Sequence, residues 1–123
     1  MHSKGKIINH ALGLICKLYN ADKNIVLNGV NRKSATIKSK RMFMYYLYYY
    51  LEINHLGMKK HFKTLSHPTS IHHVKRFKFE VENNEITKNK FDVFLSKMKN
   101  YSIYGGGFYE KRIEMKKLSK LLK

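Results

Sequence analysis

The sequence predicts an all-α fold: a compact multi-helix domain with a helix-turn-helix, followed by a C-terminal helical extension. Three observations support this prediction. Apolar residues recur at intervals of three and four through most of the chain, which is the period of an amphipathic helix. The chain contains one proline, so little in it interrupts helices. Hydrophobic residues make up 43% of its 123 residues, enough to form a core.

The first predicted helix covers about residues 5–20, where apolar residues line one face. Cys16 lies among apolar neighbours and is expected to be a small buried hydrophobe; as the single cysteine, it has no partner for an internal disulfide. Asp22 is placed to cap a short helical turn that contains Val26. Asn28 and Gly29 then predict a break.

A block of aromatic and aliphatic residues, 42–51, dominates the next segment. By propensity alone it is compatible with a strand. It is longer than most strands and has no turn chemistry before Asn54, so we predict a helix over about 35–53. The tyrosines are expected to pack in the core, although they also have the chemistry of stacking platforms for single-stranded nucleic acid.

A short helix, a tight turn and a longer helix are predicted next. Residues 57–63 are expected to form the short helix and residues 64–66 the turn. Pro68 is suited to the first turn of a helix over about 67–82. One face of that helix carries Ile71, Val74, Phe77 and Val81, and the other is polar and basic. This order is typical of a helix-turn-helix.

The charge predicts an anionic partner. Twenty-five Lys and Arg residues against eight Asp and Glu give a net charge of +17, which disfavours a compact chain unless a partner neutralises it. Nucleic acid is the commonest such partner, ahead of an acidic membrane surface or an acidic protein. The first residues lack the long apolar run and small-residue cleavage site of a signal peptide, and the most apolar run of the chain spans about half a bilayer. We therefore expect a cytoplasmic protein without a signal peptide or a membrane anchor.

Residues 8–82 resemble the C-terminal DNA-binding domain of the bacterial replication initiator DnaA. The resemblance rests on three segments in the same order: residues 15–20 with 25–27, residues 38–45, and Phe62 with residues 66–75. The last segment, Ser-His-Pro-Thr-Ser-Ile-His-His-Val-Lys, is the specific one. Ser66 stands where the family has aspartate, and Pro68 where it has a hydroxyl residue, so the family's usual DNA site is not implied.

The resemblance implies a stand-alone double-stranded-DNA-binding domain over residues 1–83, with residues 84–123 as a basic extension. Helix 67–82 would enter the major groove and segment 32–41 would reach the minor groove and backbone. The chain lacks the phosphate-binding loop of the family's ATPase domain. The implied DNA-binding residues are Arg32, Lys33, Lys38, Lys40, Arg41, Lys60, Lys63, Ser66, His67, Thr69, Ser70, His72, His73, Lys75 and Arg76. A replication or transcription regulator of bacterial or phage origin is expected.

Other interpretations remain open at this stage. Ser66 or His67 would serve as an ordinary helix cap, and the basic residues as a solvated surface. A nonspecific DNA-compacting or packaged protein would use the same fold mainly for its charge. The histidines do not have the spacing of a metal site, and we expect no catalytic set, metal or cofactor. The apolar stripe within 84–123 predicts packing on the core or on a second copy, and we favour a homodimer through this segment.

Overall fold

The computed structural model of the chain describes residues 3–28, 33–62 and 65–99. These residues form six α-helices and contain no strand, so the all-α prediction is confirmed. In chain order the helices are α1 Lys4–Tyr19, α2 Lys23–Asn28, α3 Ser34–Tyr49, α4 His55–Met58, α5 His67–Asn83 and α6 Glu85–Met98.

The ends of the first two helices follow from local chemistry. The Ser3 hydroxyl caps α1, and Asn20 ends the helix in the left-handed conformation at φ 54°. Asp22 caps α2 as predicted, because its carboxylate accepts the backbone N–H groups of Asn24 and Ile25 at 2.9 and 3.2 Å. Cys16 is buried, as predicted, and burial raises the pKa of its thiol.

The aromatic block of α3 is the centre of the core. Met42, Phe43, Tyr46 and Leu47 have no exposed surface, so the core interpretation of this block is confirmed. The helix ends at Tyr49 rather than at residue 53, because the N–H groups of the next two residues both bond to the Tyr46 carbonyl and close the last turn.

Helix α4 is shorter than predicted and begins earlier, at residue 55 instead of 57. The Asn54 side chain caps it by accepting the Gly57 N–H at 2.8 Å. Turns follow directly after Met58, and Phe62 packs its ring against that of Phe43 at 5.8 Å. The predicted turn at 64–66 lies partly outside the described residues, and its last residue, Ser66, caps α5.

Helix α6 belongs to the same core as α1–α5, so the first of the two predicted alternatives for the apolar stripe, packing on the core, holds for this helix. Phe91, Phe94 and Met98 are fully or almost fully buried, and the Phe91 ring lies 5.3 Å from Tyr45 and 5.6 Å from Phe77. The chain itself therefore covers the apolar stripe from which we expected a homodimer. The rest of the expected basic extension, residues 100–123, lies outside the described residues.

One apolar residue of α6 is not internal. Ile86 is 71% exposed, because five residues place it about 140° around the helix from the buried Phe91. Over the described residues, no helix combines the length and apolar character needed to cross a bilayer.

Candidate nucleic-acid interface

Ser66 caps the candidate recognition helix α5. Its Oγ accepts the Thr69 backbone N–H at 3.3 Å, and its hydroxyl donates to Thr69 Oγ1 at 2.6 Å. Pro68 occupies the first turn, where its missing N–H is no loss. The capping interpretation of Ser66 is therefore confirmed. The Ser66 and Thr69 hydroxyls bond to each other, and Ser66, His67 and Thr69 are all exposed.

Ser70 lies inside the protein, and its expected contact with DNA is wrong for this conformation. It has no exposed surface, and its Oγ lies 2.6 Å from His55 Nδ1 and donates to Met58 Sδ at 3.2 Å. The physical reason is helical periodicity: residue 70 precedes Val74 by four and Phe77 by seven, so it shares their inward face. Ser70 joins α4 to α5.

The outward face of α5 is basic over three turns. His72, Lys75 and Arg76 are exposed, as are His67 and Thr69 at the helix start. No carboxylate occurs between His67 and Phe79. The candidate groups are therefore presented together on one helix, and we call the exposed residues His67, Thr69, His72, Lys75 and Arg76 the α5 face.

Arg41 and His73, which the resemblance implied as DNA-binding residues, bond to each other within the chain. Arg41 Nε donates to His73 Nδ1 at 3.3 Å, and its Nη1 lies 3.7 Å from Glu80 Oε1. Arg76 Nε donates to the same Glu80 oxygen at 3.3 Å. The side chains of Arg41 and Glu80 are each 19% exposed. The resemblance implied a DNA contact for Arg41, but here it links α3 to α5.

The geometry explains the electrostatics of His73. Burial lowers its pKa most, and the charge of Arg41, with smaller effects of His72 and Lys40, brings it to about 4. An imidazole whose Nδ1 accepts a hydrogen bond is neutral, which agrees with this direction. His73 is therefore a structural acceptor near neutral pH, while its neighbour His72 is exposed.

The remaining predicted residues that the structure describes lie on or next to α3 and α4. Lys33 and Lys38 are exposed at the start of α3, and Lys60 is exposed after α4. Lys40 is half-buried, and burial lowers its pKa. Arg32 and Lys63 lie outside the described residues.

The sequence analysis missed one exposed aromatic residue on α5. Phe79 is 56% exposed, and the Arg76 guanidinium lies 5.8 Å from its ring centroid. Its position was available from the sequence: Phe79 follows Lys75 by four residues and His72 by seven, so it extends the α5 face, not the apolar face.

Two histidine pairs occur near the α5 face. The rings of His55 and His67 lie 5.6 Å apart, and those of His72 and His73 lie 5.8 Å apart. Burial, followed by the field of His67, lowers the pKa of His55. Among the residues whose positions are described, no group of three His, Cys, Asp or Glu side chains is arranged to hold a metal ion.

Comparison with known proteins yields no match to a protein-family model, a curated protein or a solved structure. The resemblance to the DnaA domain therefore stays a prediction.

Proposed function

We propose that this protein binds double-stranded DNA and inserts the α5 face into the major groove. The observation that carries the proposal is the run of exposed basic and polar side chains over the first three turns of α5, without a carboxylate among them. An α-helix fits the major groove of B-DNA, and a positive face is attracted to the phosphates on either side.

The arrangement of α4 and α5 supports a helix-turn-helix. The two helices are held together at the start of α5 by the contacts of Ser70 with His55 and Met58. In this motif the N-terminal residues of the second helix meet base edges. His67, Thr69 and His72 occupy those positions and have donors and acceptors suited to base edges.

Lys33 and Lys38 supply a second basic element, at the start of α3. Both are exposed at the start of α3, and α3 packs against α5 through the contact of Tyr45 with Phe77, whose ring centroids lie 5.1 Å apart. In the proposed complex these lysines neutralise backbone phosphates. Contacts of this kind fix the register of the protein on DNA without reading sequence.

Fluorescence anisotropy with a labelled duplex tests the proposal. Each neutralised phosphate contributes about −0.9 to the slope of log affinity against log salt, so six contacts give a slope of about −5. A slope shallower than about −2 would contradict binding through this basic surface. Selection of bound sites from random DNA then identifies the preferred sequence. We propose a role as a regulator of replication or transcription if a preferred sequence emerges.

Nonspecific DNA compaction is the second candidate, and one observation favours it. Ser70 is internal and the Ser66 hydroxyl is engaged with Thr69, so fewer groups are available for base reading than the sequence suggested. Random-sequence DNA would then bind as tightly as any selected duplex. Thr69→Ala would weaken binding to both equally, whereas a sequence-selective protein would lose affinity mainly for the selected site.

A further inference from the structure

The side of α6 that faces away from the core carries two exposed apolar residues. Ile86 is 71% exposed and Val93 is 44% exposed, and about two helical turns separate them. Asn89 and Ser96 follow them by three residues each, so these four exposed side chains share one side of the helix. We call them the outer strip of α6. Single exposed apolar residues are common on monomers, so the case for a partner depends on what surrounds the strip.

Charges of opposite sign border the outer strip. Glu85 and Asp92 directly precede its two apolar residues and form one edge. Lys90 and Lys97 follow the same apolar residues by four and form the other edge. Within the part of the chain that the structure describes, the two carboxylates and Lys97 are exposed and form no ion pair. Lys90 is half-buried, with its Nζ 4.7 Å from the centroid of the Tyr19 ring, and must leave that ring to meet a partner.

The order of these residues is the heptad pattern of a parallel two-stranded coiled coil. The apolar residues of the strip take the a positions, where isoleucine and valine favour two strands, and the charged edges take the g and e positions. In a parallel pair, a g residue lies opposite the e residue five places further along the second helix. Glu85 then faces Lys90 of the second copy and Asp92 faces Lys97, and a two-fold axis repeats both contacts. In an antiparallel pair each edge would face its own copy, and like charges would meet.

The two polar residues of the strip are compatible with a contact between helices. Ser96 Oγ donates to the Val93 carbonyl at 3.0 Å, so its hydroxyl is already bonded when the strip is covered. The Asn89 amide has both donors and acceptors, and its two copies meet across the two-fold axis. Because polar residues stand where leucine is usual and α6 has only 14 residues, the contact is weak. The core holds α6 as a helix before association, so pairing does not have to order it.

We propose that the outer strip of α6 binds a second copy of this chain, with the two α6 helices parallel. The net charge of +17 opposes association of two copies. At about 0.15 M salt the Debye length is about 8 Å, which screens the distant charges more than the contacting pairs. The proposal goes beyond DNA binding and does not depend on it. A dimer would carry two α5 faces, the arrangement with which helix-turn-helix proteins bind two half-sites.

Sedimentation equilibrium of the full chain without DNA is the first test. At about 0.15 M salt the mean mass should rise from that of one chain towards that of two, with a dissociation constant on the order of 10–100 µM, as for a small contact. Ile86→Gln removes an apolar residue from each copy and should weaken association about tenfold or more. Leu56→Gln is the matched control, because Leu56 is 68% exposed but lies on α4, and it should associate like the wild type. A chain that stays a monomer up to about 500 µM overturns the inference.

Exchange of the charged edges tests the pairing. The variant Lys90→Glu, Lys97→Glu has two acidic edges, and the variant Glu85→Lys, Asp92→Lys has two basic ones. Each alone should associate about tenfold more weakly than the wild type, and an equimolar mixture should form a heterodimer because every pair across it is then opposite in sign. Both variants keep a large positive net charge, so overall attraction does not explain a heterodimer. Variants that self-associate like the wild type, or a mixture that stays monomeric while thermal unfolding shows both variants folded, overturn the inference.

Cysteine cross-linking tests the direction of the helices. In a parallel dimer each a position lies beside its own copy, so Ile86→Cys and Val93→Cys should each form a disulfide-linked dimer on mild oxidation. The wild type is the control, because its own Cys16 is buried. Cross-linking only when the two variants are mixed would show antiparallel helices and contradict the proposal. None of these measurements contains DNA, so a protein that dimerises in this way and binds no duplex keeps this inference and loses the proposed function.

Discussion

Replacing the neighbouring hydroxyl residues Ser70 and Thr69 separates the interior of the proposed helix-turn-helix from its DNA-facing surface. Ser70→Ala removes a fully buried hydroxyl that contacts His55 at 2.6 Å and Met58 at 3.2 Å. Water can partly replace the missing partner at His55, which is half-exposed. The loss of this hydrogen bond should therefore cost about 1–2 kcal/mol of folding free energy. Thr69→Ala removes the exposed acceptor of the Ser66 hydroxyl, which water can replace, and keeps the backbone cap; alanine also has the higher helix propensity. Stability should therefore change by less than about 0.5 kcal/mol.

The DNA-binding effects should be reversed. Thr69→Ala should lower discrimination between a selected duplex and a scrambled one by about 1–3 kcal/mol, the typical value of one base contact. Ser70→Ala should leave that ratio unchanged at temperatures where the variant is folded. Urea unfolding followed by circular dichroism gives the first quantity and anisotropy with the two duplexes gives the second. If Ser70→Ala has wild-type stability but loses discrimination, α5 is rotated relative to this structure and the assignment of its faces is wrong.

Three further predictions concern the core, pH and the α5 face. Phe94→Ala should destabilise the fold by about 3–5 kcal/mol in urea unfolding, because the Phe94 ring is fully buried against Tyr46. The control Val93→Ala, at a position 44% exposed, should cost less than about 1 kcal/mol. If both variants lose equally little stability, α6 has no core role. The pKa of His73 is about 4 in the folded chain, below its usual value of 6.5. Between these two pH values the unfolded chain binds more protons than the folded chain, so the free energy of unfolding should fall as pH decreases from 6.5 towards 4. His73→Gln keeps a hydrogen-bond acceptor for Arg41 and should make thermal unfolding less dependent on pH over that range. If the pH dependence is unchanged in this variant, groups other than His73 cause it. Lys75→Ala should weaken binding to selected and scrambled duplexes by the same factor, and a loss confined to one duplex would place Lys75 on a base.

Periodicity predicted the helices well because burial and helix geometry impose it. The predicted α5, over 67–82, differs from the observed helix by one residue, since Ser66 and Pro68 mark its start chemically. The central position of the aromatic block also followed from its composition. The end of α3 was harder to predict: the closing turn depends on hydrogen bonds to the Tyr46 carbonyl, and no glycine or proline marks it.

The resemblance could not predict how far the core extends along the chain, because it ends at residue 82 and α6 lies beyond it. The apolar stripe of α6 predicted that this face is buried, but the sequence does not show whether it packs on the core of the same chain or on a second copy. Burial of Phe91 against Tyr45 and Phe77 answers that question for residues 84–99. A truncation at Glu85 would therefore remove part of the core and expose those aromatic surfaces, which makes it unsuitable for testing self-association.

The roles of charged residues were the least predictable part of the candidate site, because charge alone does not report direction. Arg41 and Arg76 look equivalent in the sequence, yet Arg41 is 19% exposed and bonded to His73, whereas the Arg76 side chain is 52% exposed. Both contact Glu80, so one carboxylate on α5 holds an internal arginine and a surface one. Because Arg76 also lies over the Phe79 ring, two residues of the next turn of α5 hold its position. In the proposed complex, a phosphate must compete with Glu80 for Arg76, so Arg76 should contribute less to affinity than Lys75, which is exposed on the same face.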